Sequence, residues 1–265
     1  MLEAAAVTWL GYADLAVGSI CDNKKHFAEC RFLADPFDDA STMSKELILK
    51  MSMSIDGFVS GPNGEIDWIF RTSSEASRQW IIDLLGQASL HAMGRRTYHD
   101  MAAFWPTSTS PIARPMNEIP KAVFSRSGAI CAPNLEMTTA ALEDATNAET
   151  AEQTCGDQTV LESWLHPTVA GTDLVADIQR LKAEDGQPIL AHGGASFASS
   201  LIVANLVDVF HLVVHPVVLG RGLPIFAGLE SPVYLKLEDL KQFDTGVVVK
   251  TYRPVNPRAS ASTPA

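Results

Sequence analysis

Basic charge is scarce in this sequence. Its 265 residues hold 20 Lys and Arg against 31 Asp and Glu, a formal net charge of −11. An acidic surface repels nucleic acid and anionic lipid, and no basic run overrides it, so neither is an expected partner. No apolar stretch is long enough to cross a bilayer. Met1 to Ile20 is partly apolar, but it lacks a basic start and carries Glu3 and Asp14, so it does not read as a secretory signal. The four cysteines, Cys21, Cys30, Cys131 and Cys155, include no CxxC pair. That spacing offers no zinc site and no disulfide framework, and it fits reduced thiols in a cytoplasmic protein that binds no metal. Also missing is a GxGxxG turn, so an ordinary Rossmann fingerprint is excluded.

What remains is an ordinary globular composition, 46% hydrophobic. Residues 1–42 show no sustained period and end in the turn-prone Asp35-Pro36-Phe37-Asp38-Asp39. They read as a poorly ordered extension ahead of one domain over residues 43–255. Residues 256–265 read as a disordered tail. Within the domain, strand and helix signals alternate. Leu47–Ser54, Ser89–Met93, Lys121–Ser125, Pro188–Ala191 and Val207–Val214 read as strands. Ser74–Leu85, Thr97–Phe104, Asp173–Glu184 and Ser196–Asn205 read as helices, with Ser74 a candidate N-cap. Residues 128–160 are rich in Ala, Thr, Glu and Asp and read as a solvated insertion. Val233–Leu237 and Gly246–Tyr252 follow with no helix between them, which predicts an antiparallel edge. The expected class is α/β: a mixed, mostly parallel sheet between layers of helices.

Three turns carry a chemical signal, each just past a predicted strand. His192-Gly193-Gly194-Ala195-Ser196 runs from a strand into a helix, and such a turn either binds an anion on free N–H groups or is a tight connection with no ligand. Gly94-Arg95-Arg96-Thr97 adds two guanidinium forks and a hydroxyl, suited to phosphate when they are not simply solvated. Ser125-Arg126-Ser127 offers two hydroxyls and a guanidinium for a further phosphate. Open α/β sheets bind ligands at this end of their strands. Around the same edge stand Asp56, Asp67, Trp68, His211, His215 and Arg221. Asp56 is either a turn former or an acid. Asp67 and Trp68 lie in a predicted loop, where an aromatic could cover a ring. His215 either reaches a substrate or is a satisfied buried histidine.

The segments LILKMSMSIDGFVSG, AMGRRTY, MNEIPKAVFSRS, DLVADIQRLKAEDGQPILAHGGASFASSLI and LVDVFHLVVHPVVLGRGLPIF occur in an order that resembles the dihydrofolate-reductase superfamily. Within it, they are most similar to the reductase domain of the bacterial riboflavin-pathway deaminase–reductase and its stand-alone relatives. The resemblance implies a dihydrofolate-reductase-like three-layer fold, NADPH as cofactor and a homodimer paired through C-terminal strands. It assigns Gly94, Arg95, Arg96 and Thr97 to the cofactor phosphates, Ser125, Arg126 and Ser127 to the 2′-phosphate, and Gly193, Gly194, Ala195 and Ser196 to the diphosphate. Hydride then passes to a C=N or C=O bond of a small heterocycle, as in 5-amino-6-(5-phosphoribosylamino)uracil reductase. Asp56 and Asp67 are the candidate acids, and Trp68, His215 and Arg221 the candidate substrate contacts. Folate reductases keep a carboxylate in the first long helix, where this chain has Ser77-Arg78-Gln79-Trp80 with Glu75 and Asp83 nearby. The alternatives are a pterin reductase and a non-catalytic, dimeric nucleotide-binding module.

Overall fold

The computed structural model describes residues 44–128, 163–171 and 173–255. The expected extension, most of the insertion and the tail lie outside the described residues. The strands are β1 (Leu47–Ser54), β2 (Phe58–Ser60), β3 (Leu90–Gly94), β4 (Lys121–Phe124), β5 (Thr168–Ala170), β6 (Ile189–Ala191), β7 (Val209–His215), β8 (Leu223–Pro224), β9 (Leu235–Gln242) and β10 (Val248–Pro254). The helices are α1 (Asp67–Thr72), α2 (Glu75–Leu85), α3 (Arg95–Ala102), α4 (Ala113–Glu118), α5 (Leu174–Lys182) and α6 (Ala195–Val203).

Eight strands form one sheet in the order β5-β4-β3-β6-β1-β7-β10-β9. The first six run parallel, and β10 lies antiparallel to both β7 and β9. The mostly parallel sheet with an antiparallel edge is therefore as expected. Val248 and Val249 belong to an internal strand, β10, and the outer edge is β9. β2 and β8 make a separate two-stranded ladder.

Period-two alternation sorts each strand onto two helical layers. Leu47, Leu49, Ile189 and Ala191 pack with Ile178 and Leu181 of α5 and with Phe197, Ala198 and Leu201 of α6. Met93, Val123 and Leu190 face the other way, against Leu84 and Leu85 of α2, Tyr98 of α3, Met116 of α4 and Trp164. Each such large apolar side chain contributes about 1.5–3 kcal/mol by leaving water. This second face also buries polar groups. Lys121 is 1% exposed, donates to Asn117 O at 3.1 Å and Ser163 Oγ at 2.6 Å, and stands 4.3 Å over the Trp164 ring. Burial pushes its amine down to about 7.

Local chemistry sets the helix starts. Ser74 caps α2, its side chain accepting from Ser77 N, and the Ser77 hydroxyl answers from the Ser74 amide. Asp173 caps α5 through Ala176 N. α3 begins at Arg95, two residues before the expected start, so both arginines stand in its first turn. α6 begins at Ala195 with Gly194 as N-cap and no side-chain cap, so Ser196 is a first-turn residue, not the cap. Asp67 and Trp68 sit on a helix, not the loop expected for them. β2, α1, α4, β5 and β8 carry no sequence period long enough to have been read.

Candidate active site

β4, β3 and β6 are neighbours and parallel, so the three anion-competent turns leave one sheet edge side by side. β1 and β7 end at the same edge with Ser54 and His215 in register. In the middle turn, Arg95 and Arg96 are exposed and enter no ion pair among the described residues. Gly194, at φ 106°, lies against the same turn: a Cβ built on it would stand 2.5 Å from Thr97 Oγ1. A Cβ on Gly94 would meet Phe197 of α6 at 3.1 Å. The α3 and α6 starts are thus packed against each other, and neither carries a side-chain cap. Their first amides remain as donors, on which the helix dipole adds positive potential. Beside them, Ser125 is buried, Ser127 is exposed 3.0 Å from it through the hydroxyls, and Arg126 points into solvent.

The other expected residues separate. Asp56 accepts from Leu219 N at 3.2 Å and Gly220 N at 2.7 Å, and it fastens the segment after β7 to the turn after β1. Hydrogen bonds, Ser54's first, hold its carboxyl below the usual aspartate range. Asp67 is exposed at the start of α1 and pairs with Arg71 at 2.8 Å. Arg221 is exposed, on the β8 side. Glu75 and Asp83 of α2 are both exposed, and Asp83 is taken by Gln79 at 2.8 Å.

Trp68 and His215 are brought together. Trp68 is 7% exposed, its Nε1 donates to Glu65 O at 3.2 Å, and its ring meets the imidazole edge-on at 5.3 Å. His215 Nδ1 is 2.7 Å from Thr72 Oγ1, and Nε2 is buried with no partner. Burial first, and Lys50 second, push the His215 ring down to about 4. His211, four residues earlier on the same face of β7, is instead bound to Thr251 at 3.0 Å and flanked by Trp80.

Three groups were given no role from the sequence, although His192 opens one of the three turns. Lys50, on β1, is half-buried, touches Ser52 Oγ at 3.3 Å and is pushed down to about 8 by burial. It stands mid-strand, level with His211 of β7, and its charge acts on both His192 and His215. His192, beside the Gly pair, is buried, pushed down to about 3 by burial and then by Lys50, and has a partnerless Nε2. His91 packs on it at 4.5 Å with both ring nitrogens unpartnered. The signal for them was a polar residue at alternate positions of otherwise apolar strands, which periodicity alone treats as noise.

The sheet order, the antiparallel edge and the site at the strand ends define an α/β protein of the dihydrofolate-reductase-like type. Residues 45–249 match the model of the RibD C-terminal domain. The chain belongs to that family. It is 26% identical over 213 residues to the uncharacterized Bacillus subtilis (strain 168) protein YyaP, covering 78% of this chain and 94% of the relative. A candidate riboflavin biosynthesis protein of Shewanella sp. PV-4 superposes with a TM-score of 0.56 at 18% identity, over 80% of this chain and 99% of its own. A Thermotoga maritima diaminohydroxyphosphoribosylaminopyrimidine deaminase/5-amino-6-(5-phosphoribosylamino)uracil reductase gives 0.52 at 18%, over 80% of this chain and 57% of its own. Those two likenesses concern the fold. Among the described residues, no helix is long and apolar enough to cross a membrane.

Proposed function

We propose that this chain is an NADPH-dependent reductase acting on a C=N or C=O bond of a small heterocyclic substrate. The observation that carries the reading is the adjacency of three anion-competent turns after β4, β3 and β6. The residues present fit the cofactor: two uncapped helix starts, two exposed first-turn arginines and a glycine whose Cβ would fill the space between them. Gly193, Gly194, Ala195 and Ser196 would hold the diphosphate. Gly94, Arg95, Arg96 and Thr97 would hold the adjoining phosphates, and Ser125, Arg126 and Ser127 the 2′-phosphate. NADPH, when bound, supplies a hydride.

The chain's own part is to bind, orient and move a proton. Lys50 supports the last role, since burial brings its ammonium down to about 8 and its charge acts on His192 and His215. Asp56 and Asp67 do not share it in this reading, because one is spent on two amides and the other on Arg71. Trp68 would exclude water above the strand ends. The riboflavin-pathway type of reductase is favoured by the family match, and the Thermotoga maritima protein of like fold carries a deaminase and a reductase in its name.

The experiment is a fluorescence titration with NADPH and NADH. Arg95, Arg96 and Arg126 are the clustered cations at these turns, so NADPH should bind at least tenfold tighter, about 1.4 kcal/mol. Arg126→Ala should remove most of that preference. Equal affinities for the two dinucleotides would reject the assignment.

A further inference from the structure

The Thr72 hydroxyl has one proton and three groups within hydrogen-bond reach. It approaches the carbonyl oxygens of Trp68 at 3.0 Å and Ile69 at 3.3 Å, and Nδ1 of His215 at 2.7 Å. A carbonyl cannot donate, whereas a neutral imidazole carries one N–H on either nitrogen. The arrangement that satisfies every contact sends the hydroxyl proton to the helix carbonyls and a proton on Nδ1 to the hydroxyl oxygen. The ring is neutral, because burial and Lys50 hold it well below neutral pH. Nε2 is then a bare lone pair. It is buried in a residue 2% exposed, and nothing among the described residues donates to it. An unmet buried acceptor costs stability and calls for a partner, and this one belongs to the last residue of β7, beside Trp68.

We infer, on the basis of the reductase reading, that Thr72 fixes His215 as the Nδ1–H tautomer and that its Nε2 accepts a hydrogen bond from the substrate. The substrate class follows: a neutral heterocycle that presents an N–H or O–H, not a compound offering carbonyl oxygens alone. Trp68 meets the imidazole edge-on and is the aromatic beside this position. Thr72, on the same helix, is a positioning residue that sets which nitrogen carries the proton.

The test uses the full chain labelled with 15N in histidine, with His215→Gln to assign the ring. The ring should show a protonated Nδ1 and a bare Nε2 at pH 7. With NADP+ present, pterin should move the Nε2 resonance toward its hydrogen-bonded position, and menadione, which has only carbonyl acceptors, should not. Thr72→Val should weaken pterin about fivefold or more with NADP+ affinity unchanged, and Thr72→Ser should restore it. A proton on Nε2 overturns the inference. So does a ring that answers menadione as strongly as pterin, one that answers neither while NADP+ binds, or a Thr72→Val chain that binds pterin normally. Failure to bind NADP+ would sink the reductase reading instead, and the tautomer would still be decided by the first measurement.

Discussion

Gly194 concentrates two demands in one position. Its φ of 106° is a conformation that side chains resist, and its missing Cβ leaves room for Thr97 Oγ1. Gly194→Ala should therefore cost about 1–3 kcal/mol in a denaturant melt. Adding Thr97→Ala removes the hydroxyl that the new methyl would strike, so the double variant should recover the steric part and keep the backbone part. A double variant no more stable than Gly194→Ala would show that strain alone was responsible. Because Gly194 touches Thr97 whether or not a phosphate is present, loss of cofactor binding in a Gly194 variant is informative only beside its melting curve.

The buried histidines set an acid limit. Burial lowers His192 and His215 from 6.5 to about 3 and about 4, and drives His91 down as well. The unfolded chain therefore takes up these protons first. The stability contributed by the neutral rings is complete above about 6.5 and drains away as the pH falls toward 3–4. Each ring should add a slope of about 1.4 kcal/mol per pH unit inside that window. His192→Gln should flatten the curve of melting temperature against pH, and an unchanged curve would refute the neutral buried state.

At the level of elements, what could be read in advance followed period and capping. β1 and α2 were legible because alternation over eight residues and a Ser74–Ser77 capping pair are local signals. The three turns of the site were legible because glycine and arginine next to a strand end leave few uses for the backbone. α1 was not, since six residues of DWIFRT hold together through the Trp68–His215 and Thr72–His215 contacts, which join residues far apart in sequence. Lys50, His91 and His192 were missed for the converse reason. Lys50 and His91 lie in strands, and His192 just past one, all apolar enough to be read as pure core, and only the sheet order shows that β3, β6 and β1 place them side by side.

For the whole molecule, the outer edge is the open question that association answers. β9 is eight residues long and exposed along nearly its whole length, with Leu237 and Leu240 about half accessible. Its lysines and acids blunt the edge, yet one row of backbone groups has no strand beside it among the described residues. We propose that a second copy pairs here, and light scattering at micromolar concentration should give about twice the 28.6 kDa of one chain. A mass near 28.6 kDa rejects it. Leu240→Lys should shift a dimer toward monomer.

The buried Lys121 has a use outside binding and catalysis. With its amine about half uncharged near pH 7 and only 1% of the residue exposed, it is nucleophilic in principle and shielded in practice. An acylating reagent in solution can reach it only when Trp164 and Asn117 draw back. The rate at which Lys121 is modified is therefore a clock for the breathing of this corner of the sheet, set by the protein and not by the reagent.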